Sequence, residues 1–237
     1  MLLDRVSKIM NRTQKSSNSS FSYYEYKYLI PHQQLRYIED LLFEFIGHSD
    51  PFETGLVNSI YFDNLNQKSL QQCRNGETHK IKFRIRAYDE NKFVTVHQKI
   101  KNLSGVFKYK SKIVPTIMHN DRSPLWEELI SKNKDDDEFK QIMHNARLFG
   151  QLFPSVRITY QRNRYRKYDY RITLDKNIEA FSLGNGLPRA KAHASLPHHV
   201  LEIKTENENP TLPFNGLIQL QQVSFSKFML GLDLLDN

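Results

Sequence analysis

The sequence predicts an α+β protein: an antiparallel β-barrel with a charged interior and with helices packed on the outside. The first observation is a segment in which cations alternate with apolar residues, Lys80-Ile81-Lys82-Phe83-Arg84-Ile85-Arg86. In a β-strand this alternation points all the cations to one face and the apolar side chains to the other. Like charges in such a row repel one another unless they share an anion, so a highly charged anion is the natural partner.

The second observation is that the same alternation returns in four further segments, which makes chance a weaker explanation. Their polar, mostly cationic faces are formed by His97, Lys99 and Lys101, by Lys108 and Lys110, by Arg171, Thr173 and Asp175, and by Glu202 and Lys204. The third is that amphipathic helical segments occur beside these strands and could cover an apolar outer wall. Alternation alone fits equally well a basic sheet face that is open to solvent or to nucleic acid.

The N-terminal segment, residues 1–20, is expected to be a mobile arm that precedes a single domain over residues 21–237. Residues 14–20 form a polar run with too little apolar content to fold by itself. A chain of 237 residues fits one large domain, and nothing in it resembles a long linker between two cores.

The first half of the domain is expected to be mostly β-structure. A helix should begin at Pro31, carry Leu35, Ile38 and Leu42 on one stripe, and end at Gly47. A polar link is expected to lead into the basic strand. The predicted strands are residues 21–30, 59–63 and 80–88, and a hairpin over 93–113 that turns near 102–105.

The second half is expected to open with two helices. Ser123 and Pro124 form a typical helix start, and the acidic run 135–137 precedes a segment with Phe139 and Ile142 on one face. The last segment, residues 217–230, is predicted to be partly helical. Strands are predicted at residues 155–162, 168–174 and 199–205.

Composition limits the class of ligand and the compartment. The formal net charge of +8 favours polyanions such as nucleotides, polyphosphate, nucleic acid or an anionic membrane surface. The single cysteine, Cys73, allows no intramolecular disulfide and no multi-cysteine zinc site. The sequence has no apolar run of about 18 residues and no secretory signal, so we expect a cytoplasmic protein.

An ordered set of short motifs resembles the VTC (vacuolar transporter chaperone) domain, a family of the CYTH or triphosphate tunnel metalloenzyme superfamily. The resemblance runs from about Phe21 to Leu230. The motifs are Glu25-x-Lys27, Tyr61-Phe62-Asp63, Lys82-x-Arg84-x-Arg86, Lys99-x-Lys101, Lys108, Tyr160-x-Arg162, Arg171-Ile172-Thr173-Leu174-Asp175, Leu201-Glu202-Ile203-Lys204 and Ser226-Lys227.

The resemblance implies the triphosphate tunnel fold and an enzyme that makes inorganic polyphosphate from ATP and releases ADP. It implies manganese (Mn²⁺) or magnesium (Mg²⁺) as cofactor, with Glu202 as metal ligand. The implied catalytic cations are Lys27, Arg84, Arg86, Arg162, Arg171 and Lys227. The implied phosphate-binding residues are Lys99 and Lys108, with Lys82, Lys101 and Lys204 in support.

Phosphoryl transfer in such a tunnel needs no side-chain nucleophile, because positioning and charge stabilisation do most of the work. The end of the phosphate chain would attack the γ-phosphorus of ATP. The expected partners are therefore ATP and inorganic polyphosphate or triphosphate, with no specific nucleic acid. Relatives in eukaryotes sit in membrane complexes, so a separate membrane protein is a possible partner.

The chain departs from the superfamily pattern at two positions. Tyr23 stands where hydrolases and cyclases carry the first Glu of a Glu-x-Glu-x-Lys pattern, which weakens those two interpretations. His97 stands at a position that is usually acidic. It could be a neutral metal ligand, a phosphate contact whose pKa a polyanion would raise, or a spacer. Glu25 is a second candidate metal ligand, or else part of a structural ion pair.

Three other functions stay open at this point. Tyrosines interleaved with basic residues would suit a single-stranded nucleic-acid binding module, which would need no metal. A degenerate tunnel could bind polyphosphate without making it, and a triphosphatase of the same fold could cut short polyphosphate or nucleotides. The Tyr61-Phe62-Asp63 motif is interpreted as packing and turn formation, and Cys73 as incidental.

Overall fold

The computed structural model describes residues 24–47, 50, 52–89, 94–103, 105–113, 136–183, 189–208, 220–224 and 226–237. The helices are α1 (Leu35–Phe45), α2 (Lys68–Arg74), α3 (Asp137–Phe149) and α4 (Lys227–Asp236). A 3-10 turn (His32–Gln34) precedes α1. The strands are β1 (Tyr24–Pro31), β2 (Thr54–Asp63), β3 (Lys80–Tyr88), β4 (Val94–Asn102), β5 (Gly105–Ile113), β6 (Phe153–Lys167), β7 (Tyr170–Ser182), β8 (His193–Ser195), β9 (His198–Thr205) and β10 (Gln221–Gln222).

All ten strands belong to one antiparallel sheet, in the order β10-β1-β9-β7-β6-β2-β3-β4-β5, with β8 paired to β7. Backbone pairing does not join β10 to β5 within the described ranges, so the sheet is not closed there. It is strongly curled, because Glu25 on β1 and Lys99 on β4 approach to 3.9 Å although five strands lie between them. The predicted α+β class and antiparallel barrel are confirmed.

Two helices cover the outer face of the curled sheet. Helix α3 packs against Phe83 and Ile85, the apolar side of the basic strand. Helix α1 packs against Leu201 and Ile203 on β9. Burial of these apolar faces is what turns the opposite faces of β3 and β9 toward the interior of the barrel.

The last helix lies on the inner face. Helix α4 packs against Val156, Ile158 and Ala180, which share the inner side of β6 and β7 with the cations. A Cβ atom at Gly231 would lie 2.6 Å from Ile158 Cδ1 and 3.1 Å from Ala180 Cβ, so the helix can come this close only because position 231 has no side chain. Thus α4 fills one end of the barrel.

The predicted elements compare well with the structure where it can be described. Strand β3 and the hairpin β4–β5 match their predicted bounds closely. Gly47, at φ +73°, follows α1 as expected, but the predicted start of this helix at Pro31 is wrong, because Pro31 pairs in β1 and α1 begins at Leu35. The predicted polar link is instead helix α2, and β2, β6 and β7 are longer than predicted. The N-terminal arm and the helix after Ser123 lie outside the described residues. No helix in the described part is long and apolar enough to cross a membrane.

Candidate active site

Two adjoining cavities occupy the interior of the barrel. The inner cavity has a volume of about 270 Å³ and the outer cavity about 430 Å³. They lie side by side and share five lining residues: Glu25, Lys27, Lys82, Lys99 and Ser226. The inner cavity is lined by ten lysine and arginine residues and only two glutamates.

Strand register brings the cations of neighbouring strands side by side. Lys82 on β3 lies opposite Lys99 on β4, which lies opposite Lys108 on β5. One step along the same face, Arg84 lies opposite His97, which lies opposite Lys110. Because each alternation is in phase with the next, the sheet presents rows of cations to the cavity.

Most of the predicted site residues meet in these cavities. Lys101 lines the outer cavity. Arg171 is exposed and lines neither cavity; it sits near the start of β7, where its sheet neighbours are Arg166 and Lys204. The structure therefore places Arg171 at the rim of the barrel. The predicted residues that line the inner cavity are Glu25, Lys27, Lys82, Arg84, Arg86, His97, Lys99, Lys108, Arg162, Glu202, Lys204 and Lys227.

Glu25 and Glu202 form an acidic pair that shares its lysine partners. Lys204 Nζ lies 2.6 Å from Glu202 and 4.0 Å from Glu25, while Lys27 contacts Glu25 and lies 3.8 Å from Glu202. Burial would raise the pKa of Glu202, but Lys204 and Lys27 outweigh it and hold that pKa well below its usual range. The pKa of Glu25 is also lowered, against burial and Glu202, by lysines that include Lys99. Both side chains are therefore carboxylates at neutral pH.

This pair fits a hard divalent cation. Mg²⁺ and Mn²⁺ prefer carboxylate oxygens, and Mg²⁺ commonly uses one or two protein carboxylates together with water and phosphate oxygens. Within the described ranges no group of three or more Asp, Glu, His or Cys side chains could hold a metal ion. Glu202 and Glu25 could hold the ion only if a phosphate ligand or water completed its coordination and Lys27 and Lys204 moved to that ligand.

His97 has a cationic environment. Arg84 Nη2 lies 3.4 Å from His97 Nδ1, and His97 Nε2 is buried with no hydrogen-bond partner among the described residues. Burial, followed by the charges of Arg84, Arg86, Lys110 and Lys108, lowers the pKa of His97 to about 2. We still expect a bound polyanion to raise this pKa from that low value. Neighbouring cations also disfavour a metal ion at this position.

Arg84 and Arg86 are held by side chains from β2. Arg84 Nη1 donates to the Tyr61 hydroxyl at 3.3 Å, and Arg86 Nε donates to Ser59 Oγ at 2.9 Å. Burial would raise the pKa of Tyr61, but Arg84 and Arg86 outweigh it and lower that pKa to about 7. Tyr61, interpreted from sequence as a packing residue, therefore also belongs to the site.

Arg162 and Lys227 meet at a single buried carboxylate. Arg162 donates to both oxygens of Asp175 at 2.6 and 2.8 Å, and Lys227 Nζ lies 2.7 Å from Oδ2. Lys227 is the first residue of α4, and the Ser226 hydroxyl accepts from the backbone N–H of Met229. The N-terminal end of α4 therefore places Ser226 and Lys227 in the wall of the inner cavity.

Sequence reasoning missed several lining residues. Tyr88 and Tyr160 line the inner cavity, Lys80 lines the outer one, and Cys73 on α2 lies in its wall. Alternation already places Lys80 on the cationic face of β3, although it was not named among the site residues. The same period of two could have identified Tyr160, which precedes Arg162 by two positions. Cys73 could not be found this way, because the helix that carries it was predicted as a link.

The fold is shared with solved tunnel-fold proteins of low sequence identity. A candidate adenylate cyclase from Bacillus halodurans is 14% identical, with a TM-score of 0.50, over 79% of this chain and 82% of that chain. A candidate adenylyl cyclase from Hippeastrum, for which a dominant triphosphatase activity is described, is 18% identical, with a TM-score of 0.53, over 88% of this chain and 94% of that chain. No curated protein sequence matches this chain.

The family is established by a match that spans almost the whole chain. The VTC domain model matches residues 22–236. The strands that line the cavities lie within this range, and the fold is the triphosphate tunnel fold that the motifs imply. The resemblance drawn from those motifs is thus confirmed, and the chain belongs to the VTC domain family.

Proposed function

We propose that this protein is a polyphosphate polymerase that transfers the γ-phosphate of ATP to the end of an inorganic polyphosphate chain and releases ADP. The observation that carries the proposal is the charge of the inner cavity, where ten lysines and arginines face two glutamates. Such a cavity favours a chain of phosphates, which offers negative charge along its whole length. Family membership supports the same substrate class.

The side chains of the cavity can do most of what phosphoryl transfer requires. Arg84 and Arg86 can clamp phosphate oxygens, and their contacts with Tyr61 and Ser59 limit how far they must reorganise. Lys82, Lys99 and Lys108 provide point charges along adjacent strands. A divalent ion held by Glu202 and Glu25 would supply further neutralisation of the phosphate oxygens.

A tunnel-fold triphosphatase is the second candidate. The Hippeastrum protein of the same fold, for which triphosphatase activity is described, favours it. Against it stands Tyr23, which occupies the position of a glutamate in the hydrolase pattern. A polyphosphate-binding protein without turnover needs only the cations and is an outcome of the experiment below.

A nucleic-acid binding module is less well supported. Bases stack on aromatic side chains that are open to the strand. Of the tyrosines interleaved with basic residues, Tyr160 and Tyr165 are almost completely buried, and the exposed Tyr24 and Tyr168 line neither cavity. The cations also face a cavity inside the barrel rather than an open sheet. We further propose a cytoplasmic location, where ATP is available.

The experiment follows ADP and polymer together in a reaction with ATP, Mn²⁺ or Mg²⁺ and a short polyphosphate primer. The proposal predicts one ADP for each phosphate added. Arg84→Ala should lower the rate by about 100-fold, since it removes a preorganised donor pair, and Glu202→Gln should have a similar effect. Arg36→Ala, which removes only an exposed pair with Asp40 on α1, is the control and should leave the rate unchanged.

Each other outcome assigns a different function. Release of inorganic phosphate without polymer would indicate the triphosphatase. Tight binding of polyphosphate without turnover of ATP would indicate a binding protein, and His97→Glu would then be the first variant to test for restored activity.

A further inference from the structure

Asp175 lies at the contact between two cations that come from different parts of the chain. Its side chain is completely buried, and it faces Arg162 across the β6–β7 pair. Arg162 donates through Nε and Nη2, a two-point contact that leaves Nη1 outside this pair. The Lys227 ammonium contacts the same carboxylate from the N-terminal end of α4.

The three groups are largely buried and together carry one net positive charge. The side chains of Arg162 and Lys227 are 13% and 10% exposed, so without Asp175 two like charges would face each other with little solvent between them. Both cations also lie over the ring of Tyr160, at 5.3 and 5.1 Å from its centroid. The carboxylate and the ring together define where the two cations can sit.

Asp175 itself does not line either cavity, whereas Arg162 and Lys227 both line the inner one. A phosphate chain in the inner cavity would therefore meet the two cations and not the carboxylate. This is the arrangement expected of a residue that acts through its neighbours.

We propose that Asp175 is a positioning residue: it holds the Arg162 guanidinium and the Lys227 ammonium at a fixed spacing that matches neighbouring phosphates of a triphosphate unit. The proposal rests on the proposed function in one respect, namely that the ligand of the inner cavity is a phosphate chain. Positioning differs from a purely structural role, in which Asp175 would only anchor α4 to the sheet. A structural anchor does not require the spacing of the two cations to match a ligand.

The distinguishing property is selectivity among anions. Cations held at a fixed spacing favour a ligand whose charges repeat at that spacing, whereas cations that move freely also bind a single compact ion well. The ratio of the Kd for sulfate to the Kd for inorganic triphosphate measures this preference. It can be obtained by calorimetry, without ATP and without turnover.

The test compares wild type with Asp175→Asn, which keeps the shape of the side chain and removes its charge. Positioning predicts that the ratio falls at least fivefold, because sulfate binds more tightly to the released cations and triphosphate gains less. A ratio that stays the same or rises would overturn the proposal, because the loss of one negative charge without any movement of the cations favours triphosphate at least as much as the less charged sulfate.

Asp233→Asn is the matched control. Asp233 lies on α4, the helix that carries Lys227, and pairs with Arg74 on α2. It therefore also holds α4 in place, but it lies outside both cavities. It should lower the melting temperature and leave the selectivity ratio unchanged. The proposal would fail if the two variants lowered the melting temperature equally and gave the same ratio of the two Kd values. Asp175 would then only anchor α4 to the sheet.

A second pair of variants covers the case in which Asp175→Asn does not fold. Lys227→Met and Lys227→Met with Asp175→Asn differ only in Asp175, and the double variant removes one charge of each sign. Positioning of Arg162 predicts a further fall of at least threefold in the ratio when Asp175→Asn is added. No further fall would overturn the proposal. If the wild-type protein prefers triphosphate but makes no polymer, the proposed polymerase function fails. The role of Asp175 is still tested, because the ratio of the two Kd values is measured without turnover.

Discussion

Side chains on the inner face shift one another's pKa values, because ten lysines and arginines crowd around the inner cavity. Tyr61 is the clearest case, with a pKa lowered to about 7 by Arg84 and Arg86 against the effect of burial. We predict that one of the 12 tyrosines ionises near pH 7, as seen in tyrosinate absorbance, well below the usual value of about 10. Tyr61→Phe should abolish this early step. Persistence of the step in that variant would assign it to another tyrosine, such as Tyr88, whose pKa is also lowered.

Lys99 is expected to take up a proton when a polyanion binds. Burial, together with Lys27 and Lys108, lowers its pKa to about 8 in the protein without ligand. A bound polyanion favours the charged ammonium and raises this pKa, so binding at pH 8 takes up protons and affinity falls as the pH rises further. Calorimetry in buffers of different ionisation enthalpy measures the uptake. Lys99→Met should take up fewer protons than wild type, and equal uptake would contradict the assignment.

At the residue scale, sequence reasoning succeeds where a side chain's role follows from its place in a strand. Alternation alone predicts that Lys82, Arg84 and Arg86 share a face. The roles of Tyr61 and Asp175 depend on which residues lie opposite them on neighbouring strands, and that register is set by packing of the whole sheet. The low pKa of His97 has the same origin, since its cationic neighbours come from β3 and β5.

At the scale of elements, α3 supports the site from the opposite side of the sheet. Asp136 caps this helix by accepting from the backbone N–H groups of Glu138 and Phe139, and it also accepts from Ser111 on β5. Asp136→Ala should lower the free energy of unfolding by about 1–2 kcal/mol, which denaturant unfolding can measure. The Kd for triphosphate should not change, because α3 covers the outer face. A large loss of affinity would mean that the outer wall also shapes the cavity.

The elements themselves were only partly predictable. Strand β3 is unambiguous because its alternation is strict, and α3 begins at a strong acidic cap. Helix α2 was missed because it is short and polar, and its stability comes from tertiary contacts: Asp63 accepts from the backbone N–H groups of Ser69 and Leu70. The placement of α4 on the inner face depends on the close approach at Gly231, which a sequence pattern does not reveal.

For the whole molecule, the excess of buried cations predicts strong stabilisation by polyanions. Triphosphate at about 100 times its Kd should stabilise the fold by about 3 kcal/mol, because the ligand binds the folded chain only. The increase in melting temperature should shrink as salt rises, but it should persist, because charges in the cavity are screened less than those on the surface. A shift that vanishes at moderate salt would indicate loose binding to the surface of a chain with net charge +8.

The barrel as a whole was predictable from five alternating segments and from the family motifs, but the extent to which the sheet curls was not. Curling of the sheet brings Glu25 and Lys99 together across the interior, and this depends on the twist of every strand between them. For the same reason the sequence could not show that Arg171 lies at the rim of the barrel, whereas the other predicted cations line the cavities.

The most direct test of the central claim is a crystal structure of the protein with inorganic triphosphate and Mn²⁺. We predict triphosphate in the inner cavity, with oxygens in contact with Arg84, Arg86 and Arg162, and Mn²⁺ beside Glu202. Triphosphate bound only on the outer face of the sheet, or an empty inner cavity at saturating ligand, would contradict the account.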